Sequence, residues 1–396
     1  MKRLTMLPGV MTWSGVAKVR LLGWLLGLVA LVLLDLVLVR ENRLLPGNGL
    51  NLWQALVQPW PPVLLVLWGL AGGCLSQRAW PLWAALAAVL LFVPLLLSAT
   101  GQGAALLLTD APRGARVSLG AGLWTMLFAV FVLASDLFRD ARIRVFWRNG
   151  LLLAAGLWTI WVFASGGLDQ LSLIVELSHR QDRFFQEMTN HLGITALSVS
   201  ASGLIGIPLG FAVSCFPGSR SKVLPVLNVI QTIPSLALFG LLIAPLALMV
   251  RYLPVLERLG IQGIGWAPAV IALTLYALLP IVHNTYAGFD SVGSNAVEAG
   301  RGMGMSRLQL LRLVELPLAL PVVLNGLRIA SVQNIGNTAV AALIGAGGFG
   351  AFIFQGMGQA ASDLILLGAL PTIGLAVAAD RVWQSLIDLT LAGGSQ

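Results

Sequence analysis

Between Glu298 and Pro317 the chain reads EAGRGMGMSRLQLLRLVELP, a charged and glycine-punctuated stretch in a sequence only 10% charged and 58% hydrophobic. Arg301, Arg307, Arg312, Glu298 and Glu315 are too dense to rest in hydrocarbon. The stretch must therefore meet water, and the chemistry open to it is charge-assisted docking. Ser306 followed by Gln309 has the spacing of a capping box, which predicts a helix starting at about Arg307. Leu310, Leu311, Leu313 and Val314 would share one side of it, with Gln309, Arg312 and Glu315 largely opposite. Residues Asn295 to Gly300 predict a first short helix, Gly302 and Gly304 a break, and Pro317 the entry to the next apolar segment. The plainer alternative is a solvated loop between two spans.

A second polar set falls inside apolar segments, where uncompensated polarity marks function by default. NVIQTIPS places Asn228, Gln231, Thr232 and Ser235 around Pro234, and RIASVQNIGNTA places Arg328, Gln333, Asn334, Asn337 and Thr338. The expected translocation path consists of Gln231, Thr232, Pro234, Ser235, Asn334, Asn337 and Thr338. The alternative for each is interhelical hydrogen bonding, worth about 0.6 kcal/mol per contact. Arg328 is expected to snorkel or pair near the inner end of its span. A path of uncharged amides suits a small zwitterion or cation that passes without tight binding. Firm capture of a quaternary ammonium would use an aromatic cage. Trp266, Tyr276 and Tyr286 have the positions of interface anchors instead, so recognition is expected on an external binding protein.

Nothing else carries chemistry of its own. His179, His191 and His283 have no metal-ligand spacing, Cys74 and Cys215 are isolated in apolar sequence, and no nucleophile–base cluster is visible. No catalytic or metal site is expected. The lysines are Lys2, Lys18 and Lys222, none after a glycine, so the chain has no phosphate-binding loop for ATP. The GAGGFG run at 345–350 follows no strand and reads as close backbone packing at the outer end of a span.

These residues must be positioned by membrane helices. Mean hydropathy is +0.88 and net charge +8; the basic residues form no stripe, so membrane loops rather than nucleic acid explain them. The chain is expected to be an all-α integral membrane protein with about ten transmembrane helices of roughly 20 residues. Apolar segments lie near 21–39, 61–76, 79–98, 119–135, 149–166, 191–214, 223–250, 264–288, 318–344 and 361–380. The run after Lys2, Arg3, Lys18 and Arg20 is long for a signal peptide and reads as a retained first helix. With both termini cytoplasmic, Lys and Arg concentrate on the inner side and the outer segments are neutral, which places 298–317 inside. Residues 1–166 form an N-terminal extension of about five spans, 167–190 an external amphipathic segment, and 191–391 a core with cytoplasmic helices at 290–317. Asp35 reads as the one deep acid, too little for an ion-coupled secondary transporter.

The charged stretch also resembles a family signature. Glu298-Ala299-Gly300, then Gly304, then Val314 before Leu316-Pro317 follows the EAA motif of ABC importer permeases, with Gly300 where a second alanine is usual. The segments HLGITALSVSASGLIGIPLGF (191–211), VIQTIPSLALFGLL (229–242), PAVIALTLYALLPIVHNTYAGF (268–289) and AALIGAGGFGAFIFQG (341–356) are similar to permeases of osmoprotectant importers. The resemblance covers about residues 190–385 and implies a type I importer core of five helices. It also implies transport of glycine betaine, choline, carnitine or another small polar solute. The implied partners are an ATPase subunit dimer that holds ATP and Mg, a second permease copy or paralogue, and an extracytoplasmic solute-binding protein. The implied location is the inner membrane.

Overall fold

The computed structural model describes residues 15–42, 45–75, 79–112, 114–140, 145–258 and 260–393. Lys2, Arg3, Arg43, Arg78, Arg113, Arg142 and Arg144, which enter the charge count above, lie outside them. The chain divides into two compact units, Met1–Ser178 and His179–Gln396. The boundary falls within 167–190.

The first unit contains α1 (Gly15–Val32), β1 (Val37–Arg40), β2 (Asn48–Leu50), α2 (Leu52–Ala55), α3 (Trp60–Ala71), α4 (Ala79–Leu107), β3 (Arg116–Leu119), α5 (Ala121–Leu137), α6 (Val145–Ala164) and α7 (Ser172–Ser178). Its core is apolar: Leu64, Trp68, Leu82, Leu86, Phe92, Met126 and Leu133 are essentially inaccessible. Gly27 lets the Trp68 indole lie against α1, since a Cβ there would come within 2.0 Å of the ring. The two tryptophans of this contact trade donors for carbonyls, Trp24 Nε1 to Trp68 O at 3.1 Å and Trp68 Nε1 to Trp24 O at 3.0 Å.

The expectation of an all-α chain is corrected here. The strands form a three-stranded antiparallel sheet in the order β2–β1–β3, with Val37 opposite both Leu50 and Leu119. Accordingly the first helix ends at Val32, and Asp35 lies in the turn before β1 rather than in mid-span. The turn is close-packed: Gly49 faces the Asp35 carboxylate where a Cβ would stand 1.9 Å from Oδ2.

The second unit contains α8 (Gln181–Cys215), α9 (Pro217–Thr232), α10 (Ser235–Tyr252), α11 (Val255–Arg258), α12 (Trp266–Asp290), α13 (Ser294–Gly302), α14 (Arg307–Leu310), α15 (Leu316–Ala341), α16 (Gly350–Gly358) and α17 (Ser362–Gly393). Helix α12 is its centre, buried on nearly every side and packed against α8, α9, α10 and α15. Small residues permit the approach, as membrane helices require without a hydrophobic drive between them. A Cβ on Gly206 of α8 would come 2.9 Å from Ile281, one on Gly210 2.6 Å from Thr285, and one on Gly326 of α15 3.0 Å from the Pro280 carbonyl.

Among the described residues six helices are long and apolar enough to cross a membrane: Leu82–Leu107, Gln181–Cys215, Ser235–Tyr252, Trp266–Asp290, Arg307–Ile344 and Ser362–Leu391. Three more, Trp60–Leu75, Ala121–Leu137 and Arg148–Ala164, are apolar but shorter. The largest departure from the ten expected spans is at 223–250, which breaks into α9 and α10. Ile233 before the proline is extended at φ −71° and ψ 126°, as the Pro234 ring demands of its predecessor. Two helices run through residues 167–190. The first is α7, whereas the 35-residue α8 starts at Gln181 and carries Phe184 and Met188 directly into the span.

Candidate functional site

The charged stretch folds as two short helical pieces around a glycine turn. Helix α13 ends at Gly302, and Gly304 takes φ +78°, the left-handed region that glycine enters without strain. The Met305 N–H returns to the Gly300 carbonyl at 3.1 Å. Ser306 and Gln309 form the expected capping box: the Gln309 side-chain oxygen accepts from the Ser306 N–H at 2.8 Å, and the Ser306 hydroxyl accepts from the Gln309 N–H at 3.4 Å. Gly300 has a packing reason. It is buried against Leu310, where a Cβ would stand 2.6 Å from Cδ1, so glycine in place of the usual alanine seats α13 on α14.

Past Leu310 the structure departs from the expected amphipathic helix. Residues Leu311–Glu315 make a π-helical turn, and helix then continues without interruption into α15. The extra residue per turn shifts the facing of the side chains. Glu315, expected on the solvent side, is buried and accepts a hydrogen bond from Arg307 Nη1, while Leu313, expected on the apolar side, is exposed. Pro317 follows the π turn directly, the place where the helix accommodates a residue without an N–H. Glu298, Ala299, Arg301, Met303 and Leu308 are exposed. Val314 is half-buried beside Gly300, and Leu316 is exposed.

The amides divide into two groups. Asn228 and Gln231 of α9, His283 and Asn284 of α12, and Gln333 of α15 line one cleft of about 280 Å³, completed by Leu224, Leu279, Pro280 and Ile329. On α15 the residues Asn325, Ile329, Gln333 and Asn337 recur at every fourth position and so share a side. Asn325 Nδ2 donates to Asn284 Oδ1 at 3.2 Å, and Asn284 Nδ2 to the Pro280 carbonyl at 2.8 Å, which fixes that wall. Gln231 Nε2 donates to the Tyr276 carbonyl at 2.9 Å. The Tyr276 hydroxyl in turn donates to the Ile233 carbonyl, one of the backbone groups freed at the break. Thr232, Pro234 and Ser235 mark that break, next to the cleft but outside its lining; the Thr232 hydroxyl donates to the Val229 carbonyl of its own helix.

Asn334 and Thr338 are not on the cleft. Both are fully buried between α8, α12 and α15. Asn334 Nδ2 donates to Ser198 Oγ at 2.9 Å and to the Leu273 carbonyl at 3.2 Å. The Thr338 hydroxyl lies 2.7 Å from the Asn334 carbonyl and 3.0 Å from Thr195 Oγ1. They stitch helices together. His283 and Asn284 were missed in the sequence as cleft residues; their signal is adjacency to Pro280 on a helix that also carries apolar residues on all other sides.

Two further polar knots position the core. Arg328 pairs with Asp380 at 2.6 Å and also bonds the Gln384 side chain, linking α15 to α17. At the start of α16 the GAGGFG turn presses on α8. Gly345, Gly347 and Gly348 take φ +79°, +77° and +82°, and Gly348 N–H donates to Glu187 Oε2 at 2.7 Å. Phe349 N–H donates to His191 Nδ1 at 3.3 Å, which leaves Nε2–H to donate to the Ile335 carbonyl at 3.0 Å.

Comparison with known proteins follows this division. Residues 16–174 match the family model described as ABC transporter permease YehY, N-terminal domain, and residues 202–387 match the binding-protein-dependent transport system inner membrane component. Among curated relatives, the osmoprotectant import permease protein OsmW of Salmonella typhimurium is 43% identical over 196 residues, 50% of this chain and 86% of that protein. The glycine betaine/carnitine/choline transport system permease protein OpuCD of Bacillus subtilis is 39% identical over 198 residues, 50% of this chain and 80% of that protein. A solved structure of the MetNI methionine ABC transporter in an inward-facing conformation covers 53% of this chain and 97% of its own, at 22% identity and a TM-score of 0.47. With 86% of OsmW matched at 43% identity and residues 202–387 matching the family model, the chain belongs to the binding-protein-dependent transport system inner membrane component family, the permeases of ABC transporters.

Proposed function

We propose that the chain is the permease subunit of an ATP-driven importer for osmoprotectants such as glycine betaine, choline or carnitine. The observation that carries the reading is the pairing of an exposed, helix-capped EAA segment with an open polar cleft in one unit. Glu298, Ala299, Gly300, Gly304, Val314, Leu316 and Pro317 form the docking element for an ATPase dimer that holds ATP and Mg. Continuity from α14 through the π turn into α15 gives ATPase motion a rigid route to Gln333 and Asn337. The translocation path runs along Gln231, Gln333 and Asn337, with Thr232, Pro234 and Ser235 at its hinge. A second permease copy or paralogue completes the path, and a solute-binding protein outside the membrane selects the solute. Both termini lie on the cytoplasmic side of the inner membrane, supported by the basic bias of the inner segments. The chain is not an enzyme in this reading, since hydrolysis belongs to its partner.

Purification of the tagged chain from its native membrane tests this. An ATPase subunit is expected to co-purify with the unaltered chain and to be lost with Glu298→Lys while membrane insertion is unchanged. Equal recovery of the ATPase with both would remove the docking role.

A further inference from the structure

Asn228, His283 and Gln333 open onto the cleft, and their side chains make no hydrogen bond among the described residues. Gln231 and Asn284 each commit one amide N–H to a carbonyl, of Tyr276 and Pro280 respectively, and these bonds hold the walls. The lining contains neither an acid nor a Phe, Tyr or Trp ring. This donor set is informative about one end of an osmoprotectant. A trimethylammonium group has no N–H to donate, so an amide carbonyl cannot hydrogen-bond to it, and its firm recognition needs the face of such a ring or a carboxylate. The cleft offers neither. A carboxylate is the opposite case: it accepts only, with about four lone-pair sites, and hydrogen bonds to an ionised group are roughly twice as strong as neutral ones. Two amide NH₂ groups and an imidazole N–H are complementary to it, while Ile329 and its apolar neighbours give the methyl groups a surface without a charge. At about 280 Å³ the cleft is close to the small end of ligand pockets, roughly 300 Å³.

We propose that this cleft is a transient site for the carboxylate end of a zwitterionic solute, held by Asn228, His283 and Gln333, and that it discriminates against a solute that bears a hydroxyl instead. The inference rests on the importer reading and names the solute class that the membrane part itself favours. Selectivity is then set twice, at the external binding protein and again inside the membrane, where carboxylate-bearing glycine betaine gains contacts that choline does not.

The test uses the complete permease–ATPase complex in lipid nanodiscs, with Cys215→Ser to remove the exposed thiol and Leu224→Cys to place a reporter on the cleft wall without removing a donor. A small methanethiosulfonate reagent modifies the reporter. Glycine betaine at tens of millimolar is expected to slow modification at least threefold, and choline at the same concentration to leave it unchanged. Adding His283→Ala and Gln333→Ala together is expected to abolish the protection. Ile329→Cys on the opposite wall provides a second reporter should Leu224→Cys fail to fold. Equal protection by both solutes, protection by neither, or protection that survives the double alanine variant would overturn the proposal. Uptake by the complete importer with its binding protein separates the two levels. Absent uptake with intact protection defeats the importer reading alone, and intact uptake without protection defeats the cleft assignment alone.

Discussion

In the unit up to Ser178 the hydroxyls turn back on their own helix and the polar contacts between helices, apart from one ion triad, are made by tryptophans, Trp24 with Trp68 and Trp60 with Gln102, whereas in the unit from His179 amides also bridge the helices. Thr100 donates to the Leu96 carbonyl and Thr159 to that of Ala155, each four residues back. The strongest polar group of the extension is a buried ion triad at the start of α1: Arg20 Nε meets Asp136 at 2.5 Å and Nη2 meets Asp140 at 2.9 Å, while Nη1 donates to the Cys74 carbonyl. In the core, Ser198, Asn284, Asn325 and Asn334 join different helices, and the side chains of Asn228, His283 and Gln333 at the cleft make no hydrogen bond among the described residues. A bundle that satisfies its hydroxyls locally is a packed apolar body without a polar route. A bundle that spends amides between helices can hold a route open. The contrast is the reason the proposed translocation path lies in the core rather than in the extension.

The contrast is tested hardest at the docking turn. Gly304→Val places a β-branched residue at φ +78°, a strain of roughly 1–2 kcal/mol, and misdirects Glu298 relative to α14. Uptake is expected to fall more than tenfold with unchanged insertion, read by solute accumulation in cells and by membrane fractionation. Normal uptake would detach this turn from coupling.

Arg20→Met tests the extension. Leaving Asp136 and Asp140 facing each other without the guanidinium costs about 3–5 kcal/mol, since the Arg20 side chain is only 5% exposed. The expected outcome is early proteolysis of the first unit on heating, with little change in the ATPase that co-purifies. Loss of ATPase binding in step with unfolding would mean that the two units share more than a chain.

Within the core, stitching and lining residues should separate. Asn334→Ala removes a buried donor to Ser198 and to the Leu273 carbonyl, at about 1–3 kcal/mol, and is expected to lower thermal stability. Gln231→Ala and Asn337→Ala should lower the maximal transport rate severalfold with little change in the half-saturating concentration, which the binding protein sets. A rise in the half-saturating concentration would place recognition inside these helices. The smallest effect is expected from removing residues 1–178: the inserted core should still recover its ATPase, checked by co-purification alongside a topology reporter.

What was legible in the sequence was local or periodic. The capping box at Ser306 and Gln309, the glycine turn at Gly304 and the close packing at GAGGFG each depend on a few adjacent residues, and the structure has them. The sheet was not legible, because Val37, Leu50 and Leu119 are distant in sequence and each strand is short, three or four residues. The π turn at Leu311–Glu315 has no compositional mark, and it carried Glu315 to the inside. The break at Ile233 has its cause in Pro234, yet a proline alone does not say whether a membrane helix kinks or ends. Asn334 and Gln333 adjoin in sequence; only the packing of α8 and α12 decides that one is a stitch and the other lines a cleft.

Whether movement through the core is driven by ATP on a partner docked at Glu298–Pro317 can be decided in proteoliposomes. These would contain the permease–ATPase complex, with binding protein and radiolabelled glycine betaine outside. Accumulation is expected only with ATP on the ATPase side and only with the binding protein present, and it should be indifferent to collapse of proton and sodium gradients. Accumulation driven by either gradient without ATP would contradict ATP-driven coupling.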